Sequence, residues 1–162
     1  MKKLITRRLR LFGITVGFVG AFLALNAIPG AATPPSGFVS ELLGRGTYVS
    51  NGSLPLTQGQ DVVVARNTVQ PGGSSGWHSH PGGAIVVVQQ GQITFNRSVG
   101  NHCESITYTT GQTFVERPGD VGDAASNGST VTIVIATFPG VPAGVPGAQR
   151  TDEPNPGTCP GL

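Results

Sequence analysis

The spacing of glycine and proline restricts the fold of this chain more than any other feature. Its 162 residues include 25 glycines and 13 prolines, and beyond residue 32 no run between them is longer than 11 residues. A helix needs about ten or more uninterrupted residues, whereas a strand needs about four to eight. Because the short runs are rich in Val, Ile and Thr, which favour strands, we expect an all-β domain.

Seven runs are predicted to be strands, bounded by turn-forming residues. They are Gly46–Ser50, Asp61–Gln70, Ala84–Gln90, Gln92–Arg97, Ser105–Thr110, Thr113–Glu116 and Thr130–Phe138. Many short strands at regular spacing are typical of a sandwich or a closed barrel. Only Gly37–Leu43 is compatible with a short turn of helix, and Pro139–Leu162 is predicted to be an irregular tail. The side chains expected to line the barrel or its core are Val86, Val88, Ile93, Phe95, Phe114, Ile133 and Ile135.

The first 32 residues have the order of a secretory signal peptide. A basic start is followed by an apolar run of 18 residues, Leu11–Ile28, and by the small residues of Pro29–Ala32. We place cleavage after Ala32; a retained membrane anchor is the alternative, since 18 residues is the lower limit for spanning a bilayer. The two arginines of Thr6–Leu9 resemble a twin-arginine signal. An extracellular, cell-envelope or periplasmic location is therefore predicted.

The charge of the mature chain differs in sign from that of the precursor. Residues 33–162 contain five arginines, no lysine and eight acidic residues, a net charge of −3. Without a basic surface, nucleic-acid binding loses its main electrostatic support. We therefore expect no nucleic-acid partner, and contact with the membrane only through the signal segment.

The chain has two cysteines, Cys103 and Cys159. An even pair in an exported protein predicts a disulfide, which would close a loop of 56 positions and hold the irregular tail. Metal ligation by the two thiols is the alternative.

Two of the three histidines are His78 and His80. Residues i and i+2 of an extended strand point to the same face, so the two imidazoles would project into one space and could begin a metal site. The alternative is an exposed pair near the turn predicted at Pro81. The third histidine, His102, is predicted to be exposed.

The neighbourhood of the histidines resembles the first motif of the cupin family, which are small jelly-roll β-barrels. That motif runs Gly, five residues, His-x-His, three or four residues, Glu, six residues, Gly. Gly72 precedes His78 by six positions, and Gly91 follows His80 by eleven, as the motif requires. In the second motif of the family a proline precedes a turn, a histidine and, four positions later, an asparagine. Pro118 and Asn127 keep this spacing.

The resemblance covers roughly Asp61–Phe138 and implies a single cupin-like jelly-roll barrel. On this interpretation, 1–32 is the signal peptide and 33–60 an N-terminal arm with a first strand. The barrel is 61–138, and 139–162 is the tail, clipped by the disulfide. The resemblance also implies that two copies of the chain can pair through their sheet edges, which would give a homodimer.

The resemblance implies only part of the family's metal-ligand set. Its ligands are two histidines, a glutamate and a second-motif histidine; here the last two slots hold Ala84 and Asp123. His78 and His80 carry over. Two histidines and one carboxylate still bind metals in many proteins, so Asp123 and Glu116 are both candidates for a third ligand. The ion would be a divalent Fe, Mn, Ni or Zn, in a pocket lined by Val86, Val88, Phe95, Phe114 and Asn127.

Three functions follow as hypotheses. The first is an exported cupin-domain protein that binds a small molecule in the barrel, with or without a divalent metal on His78 and His80. The second is a metal-dependent enzyme of dioxygenase or isomerase type, with a His/His/carboxylate site. The third is a non-catalytic structural protein of the envelope. The fold does not choose among them.

Overall fold

The computed structural model of the chain describes residues 32–47 and 56–162. Within them there are ten strands and no helix: β1 Ser36–Thr47, β2 Asp61–Ser74, β3 His78–Ser79, β4 Ala84–Gln90, β5 Gln92–Val99, β6 His102–Thr109, β7 Thr113–Glu116, β8 Gly122–Ala125, β9 Thr132–Val141 and β10 Thr151–Asp152. The predicted signal peptide, up to residue 31, and residues 48–50 of the predicted strand Gly46–Ser50 lie outside the described residues. A helix long and apolar enough to cross a membrane is not found in the part that is described.

The strands form one antiparallel sheet that bends into a nearly closed barrel. β1, β2, β9, β4 and β7 are neighbours in that order. The end of β2 crosses to the opposite wall, where β8 pairs with β2, β3 and β5; β5 also pairs with β6, and β3 with β10. The prediction of an all-β, jelly-roll-like barrel is confirmed.

Two local predictions are wrong. Gly37–Leu43, predicted as a turn of helix, lies within β1, where it pairs along β2 from Val69 to Ala65. Pairing with an open strand edge outweighs the weak helical preference of this short segment. The tail is also less irregular than predicted, because β9 continues to Val141 and the tail contains β10.

The predicted orientation of β9 is also wrong. Val134, Ala136 and Phe138 are buried in the barrel, whereas Ile133 and Ile135 are half-buried and face outwards. Alternation along a strand fixes which residues share a face. In this strand both faces are apolar, so the sequence does not tell one from the other. The predicted core positions Val86, Val88, Ile93, Phe95 and Phe114 are all buried.

Residues 142–162, here called the C-terminal strap, run back across the barrel to β3. Thr151 and Asp152 pair with Ser79 and His78, and the amide of Glu153 donates to the carbonyl of Trp77 at 3.0 Å. The predicted disulfide between Cys103 and Cys159 is confirmed and ties the strap to β6. The strap is therefore an ordered part of the wall around the histidines.

Replacing Gly76 is expected to cost more stability than replacing Gly72, although both glycines lie just before the histidines. Gly76 and Gly72 both have a positive φ, +68° and +73°, which costs an alanine about 1–2 kcal/mol. A Cβ at Gly76 would also lie 2.0 Å from the carbonyl oxygen of Thr33, whereas one at Gly72 meets nothing within 4 Å. We expect Gly76→Ala to lower the free energy of unfolding by about 1–3 kcal/mol more than Gly72→Ala, measured by urea denaturation. Equal losses would show that the segment at Thr33 moves aside freely.

Candidate metal centre and its pocket

Three potential metal ligands meet inside the barrel: His78 from β3, His80 just after it, and Glu116 at the end of β7. Each is only 4% exposed, and one ligand atom from each lies within 4.8 Å of the others. Oε2 of Glu116 is 3.7 Å from Nε2 of His78 and 3.4 Å from Nε2 of His80.

The backbone around these residues is held by strand pairing and by turns. His78 pairs with Gly122 on one side and with Asp152 on the other. The carbonyl of His80 accepts hydrogen bonds from the amides of Gly83 and Gly119, which joins the turn after the histidines to the turn after β7. Since Glu116 pairs with Ala84, its carboxylate is brought to the histidines by the β4–β7 pair.

Backbone carbonyls determine which ring nitrogen of each histidine is free. Nδ1 of His78 lies 2.7 Å from the carbonyl oxygen of Gly76, and Nδ1 of His80 lies 2.5 Å from that of Gln149. A carbonyl only accepts, so each Nδ1 carries the proton and donates it. Each Nε2 is therefore left with a lone pair towards Glu116. Metal-ligating histidines are commonly oriented by this kind of outer hydrogen bond.

Burial is the largest influence on the electrostatics of all three groups. Burial, with a contribution from the charge of Arg150, lowers the pKa of His78 to about 3, and burial lowers the pKa of His80 to about 4. Burial raises the pKa of Glu116 to about 8. The rings are neutral and Glu116 keeps its proton at neutral pH, so the contacts between them are not ion pairs. Oε2 of Glu116 is buried without a hydrogen-bond partner, and a cation bound there would satisfy it.

Of the two predicted carboxylates, the structure brings Glu116 to the histidines and not Asp123. The Asp123 carboxylate accepts hydrogen bonds from the hydroxyls of Ser74 and Ser75 at the end of β2. It is buried, but these bonds direct it to the backbone turn, and it is absent from the group of ligand atoms around His78 and His80. Its short side chain therefore joins β8 to β2.

The three residues line a cavity of about 260 Å³ inside the barrel. Two of the predicted pocket residues, Val86 and Phe114, line this cavity, but Val88, Phe95 and Asn127 do not. Val88 and Phe95 belong to the core instead, where Phe95 stacks on Phe114 with 5.3 Å between ring centres. Asn127 donates to the hydroxyl of Thr94 at 3.1 Å. His102 is exposed, as predicted.

Several residues that the sequence did not indicate also line the cavity. Arg150 and Gln149 come from the strap, and Asn67, Phe38 and Phe138 come from the barrel wall. Asn67 is a polar residue inside the Val-rich run of β2, and that contrast could have marked it. No sequence pattern around Arg150 indicates its role, because only the folded strap brings it to the cavity that contains the histidines.

Comparison with known proteins agrees with this fold. The family profile of the cupin domain matches residues 65–138. A cupin-like protein from Thermotoga maritima is 19% identical, with 79% of this chain and 87% of that chain covered and a TM-score of 0.52. A Klebsiella pneumoniae protein with a double-stranded β-helix domain is 18% identical, with 75% and 86% covered and a TM-score of 0.53. At these identities the likeness concerns the fold.

A structure of oxalate oxidase is 27% identical over 49% of this chain, with a TM-score of 0.46. The match spans only 42% of the oxalate oxidase chain, less than half of its length. Among curated protein sequences no significant match was found.

Proposed function

We propose that this chain, whose residues 65–138 match the cupin domain, is an exported protein with one divalent metal ion on His78, His80 and Glu116. In this proposal the ion helps to hold a small molecule in the adjoining cavity. The observation that carries it is the convergence of three buried ligand atoms, one of which, Oε2 of Glu116, has no hydrogen-bond partner.

The donor set indicates which ions are expected. Two imidazoles and one carboxylate suit Fe, Mn, Ni or Zn better than Ca or Mg, which prefer oxygen ligands alone. Three protein ligands leave further positions on the ion open to a bound molecule. When bound, such an ion supplies Lewis acidity to the molecule it contacts. The chain contributes the orientation of both rings, through the carbonyls of Gly76 and Gln149.

A purely structural role is less well supported. Burying two imidazoles and a carboxylate next to one another costs stability, and a barrel needed only for its shape would be more stable with apolar residues there. The complete His/His/Glu group keeps the metal-dependent enzyme, of dioxygenase or isomerase type, as the second candidate. Export is supported by the N-terminal pattern and by the disulfide, which is consistent with an oxidising compartment.

Metal analysis of the exported chain, purified without a histidine tag, tests the proposal. We expect about one metal ion per chain in the wild type, and less than about a tenth of that in His78→Ala/His80→Ala, because two of three ligands are lost. His102→Ala is the matched control, since His102 is exposed, and it should keep its metal. A folded wild type that takes up none of the four ions would contradict the proposal.

A further inference from the structure

We propose that the cavity accepts a small organic acid, a carboxylate with a short apolar body, and that Arg150 recognises its charge. This inference rests on the proposed function, because the metal ion is the other group expected to face the ligand. Three observations support it: the position of Arg150, the charge balance of the cavity, and the character of its walls.

Arg150 lies in the strap directly before β10 and lines the cavity together with His78, His80 and Glu116. Its Nη2 donates to the carbonyl oxygen of Ser75 at 2.7 Å, and its Nε donates to Oδ1 of Asp152 at 2.6 Å. A guanidinium has five N–H donors, so these two bonds fix its position and leave others for a ligand.

The charges around the cavity leave an excess of positive charge once a divalent ion is bound. Glu116 is the one acidic residue among the described residues that line the cavity, and it offsets half of the ion's charge. Arg150 adds a further positive charge, and its partner Asp152 has a side chain 51% exposed, so water screens it. Asp120, which also influences the pKa of Glu116, is paired with Arg97 at 2.7 Å. An anionic ligand would offset this excess, whereas a neutral one would not.

The walls of the cavity favour an organic anion over an inorganic one. They are largely apolar, with Phe38, Phe114, Phe138, Val86 and Ile93 among them. At roughly 30 Å³ for each water-sized atom, a cavity of about 260 Å³ holds about nine non-hydrogen atoms. These apolar side chains offer phosphate or sulfate no hydrogen bonds, but they would remove the body of a small aromatic or aliphatic acid from water.

Asn67 gives the cavity a further polar group that a ligand could contact. Oδ1 of Asn67 is buried and has no hydrogen-bond partner, although Asn67 lines the cavity. A buried acceptor without a donor is costly, so a ligand hydroxyl or amine, or a water molecule, would satisfy it.

The test compares matched acids and amides by titration calorimetry on the metal-loaded full chain. The probes are benzoate against benzamide, hexanoate against hexanamide, and inorganic phosphate. We expect each acid to bind at least about tenfold tighter than its amide, and phosphate to bind more weakly than benzoate. Arg150→Gln should remove the preference for the acid, while Arg150→Lys keeps part of it. Arg66→Gln, at an exposed arginine of β2, should change nothing.

Several other results would contradict the inference. Equal binding of acid and amide, no binding of any probe, or an acid preference that survives in a folded Arg150→Gln overturns the inference. Tight phosphate binding would overturn the choice of an organic acid. A chain that takes up no metal contradicts the proposed function instead; the acid–amide comparison is then made on the metal-free chain, where a weaker preference dependent on Arg150 is still expected.

Discussion

Replacing Glu116 with glutamine should abolish metal binding and at the same time stabilise the metal-free protein. The amide removes the only negative ligand, so we expect the affinity for the metal to fall by at least about 100-fold. In the metal-free chain, however, the buried carboxylate has no hydrogen-bond partner for Oε2 and is costly when ionised. Replacing a residue with a purely structural role would not both lower the affinity for metal and raise the stability of the metal-free chain.

The stabilisation by Glu116→Gln should depend on pH in a defined direction. Burial raises the pKa of Glu116 to about 8 in the folded chain, from an ordinary value of 4.5. Below about pH 4.5 the carboxyl is protonated in both the folded and the unfolded states, so its ionisation costs no stability. Between about pH 4.5 and 8 the Glu116 carboxyl is ionised in the unfolded chain but still protonated in the folded chain, and this difference favours unfolding. The advantage of the variant should therefore grow over this window to several kcal/mol.

Urea denaturation of both chains at pH 5, 7 and 8.5, with chelator and then with excess metal, measures this effect. With metal the order should reverse, since only the wild type gains from binding. Glu104→Gln is the control: Glu104 is a partly exposed acid bonded to Arg97, and its replacement should change stability only slightly, because water screens an exposed ion pair. If Glu116→Gln destabilised the metal-free chain at every pH, the carboxylate would be contributing to the fold.

Removing the disulfide with Cys103→Ala/Cys159→Ala should weaken both the fold and the metal centre. The bond closes a loop of 56 positions, and a chain-entropy estimate gives a loss of about 4 kcal/mol in unfolding free energy. The strap would also be freed from β6. Because the strap supplies the Gln149 carbonyl that orients His80, we expect metal affinity to fall by about 10–100-fold, as for other outer-shell losses.

Metal titration and urea denaturation of the same samples separate these two effects. A thiol reductant that does not bind metal should lower the stability of the wild type towards that of the double variant and leave the variant unchanged. A variant that loses stability but binds metal as tightly as the wild type would show that the bonds of Thr151, Asp152 and Glu153 to β3 hold the strap without the disulfide.

The general fold and the position of the site could be predicted because their signals are local. The runs at Ala84–Gln90 and Thr113–Glu116 are bounded by turn residues, and their strands have those limits in the structure. The histidines are two positions apart, so their proximity needs no long-range information. The cysteine pair was the only pairing available, and this made the disulfide predictable.

What could not be predicted depends on register and on distant contacts. In β9 both faces are apolar, so alternation alone could not show that Val134 rather than Ile133 faces the core. The choice between Glu116 and Asp123 depends on how β7 and β8 lie against β3, and the sequence spacing contains no such information. Arg150 is even more distant, because it reaches the cavity only after the strap has crossed the barrel.

The position of the strap has a consequence for the order in which the centre can be completed during synthesis. All three proposed ligands have been made once the ribosome reaches residue 116, but the carbonyl that orients His80 belongs to residue 149, and the disulfide needs residue 159. A growing chain that ends before these residues has the histidines and Glu116 without their outer support. Under the proposed function, loading with metal at full affinity would therefore be a late event, which follows the synthesis of the strap and its closure onto the barrel.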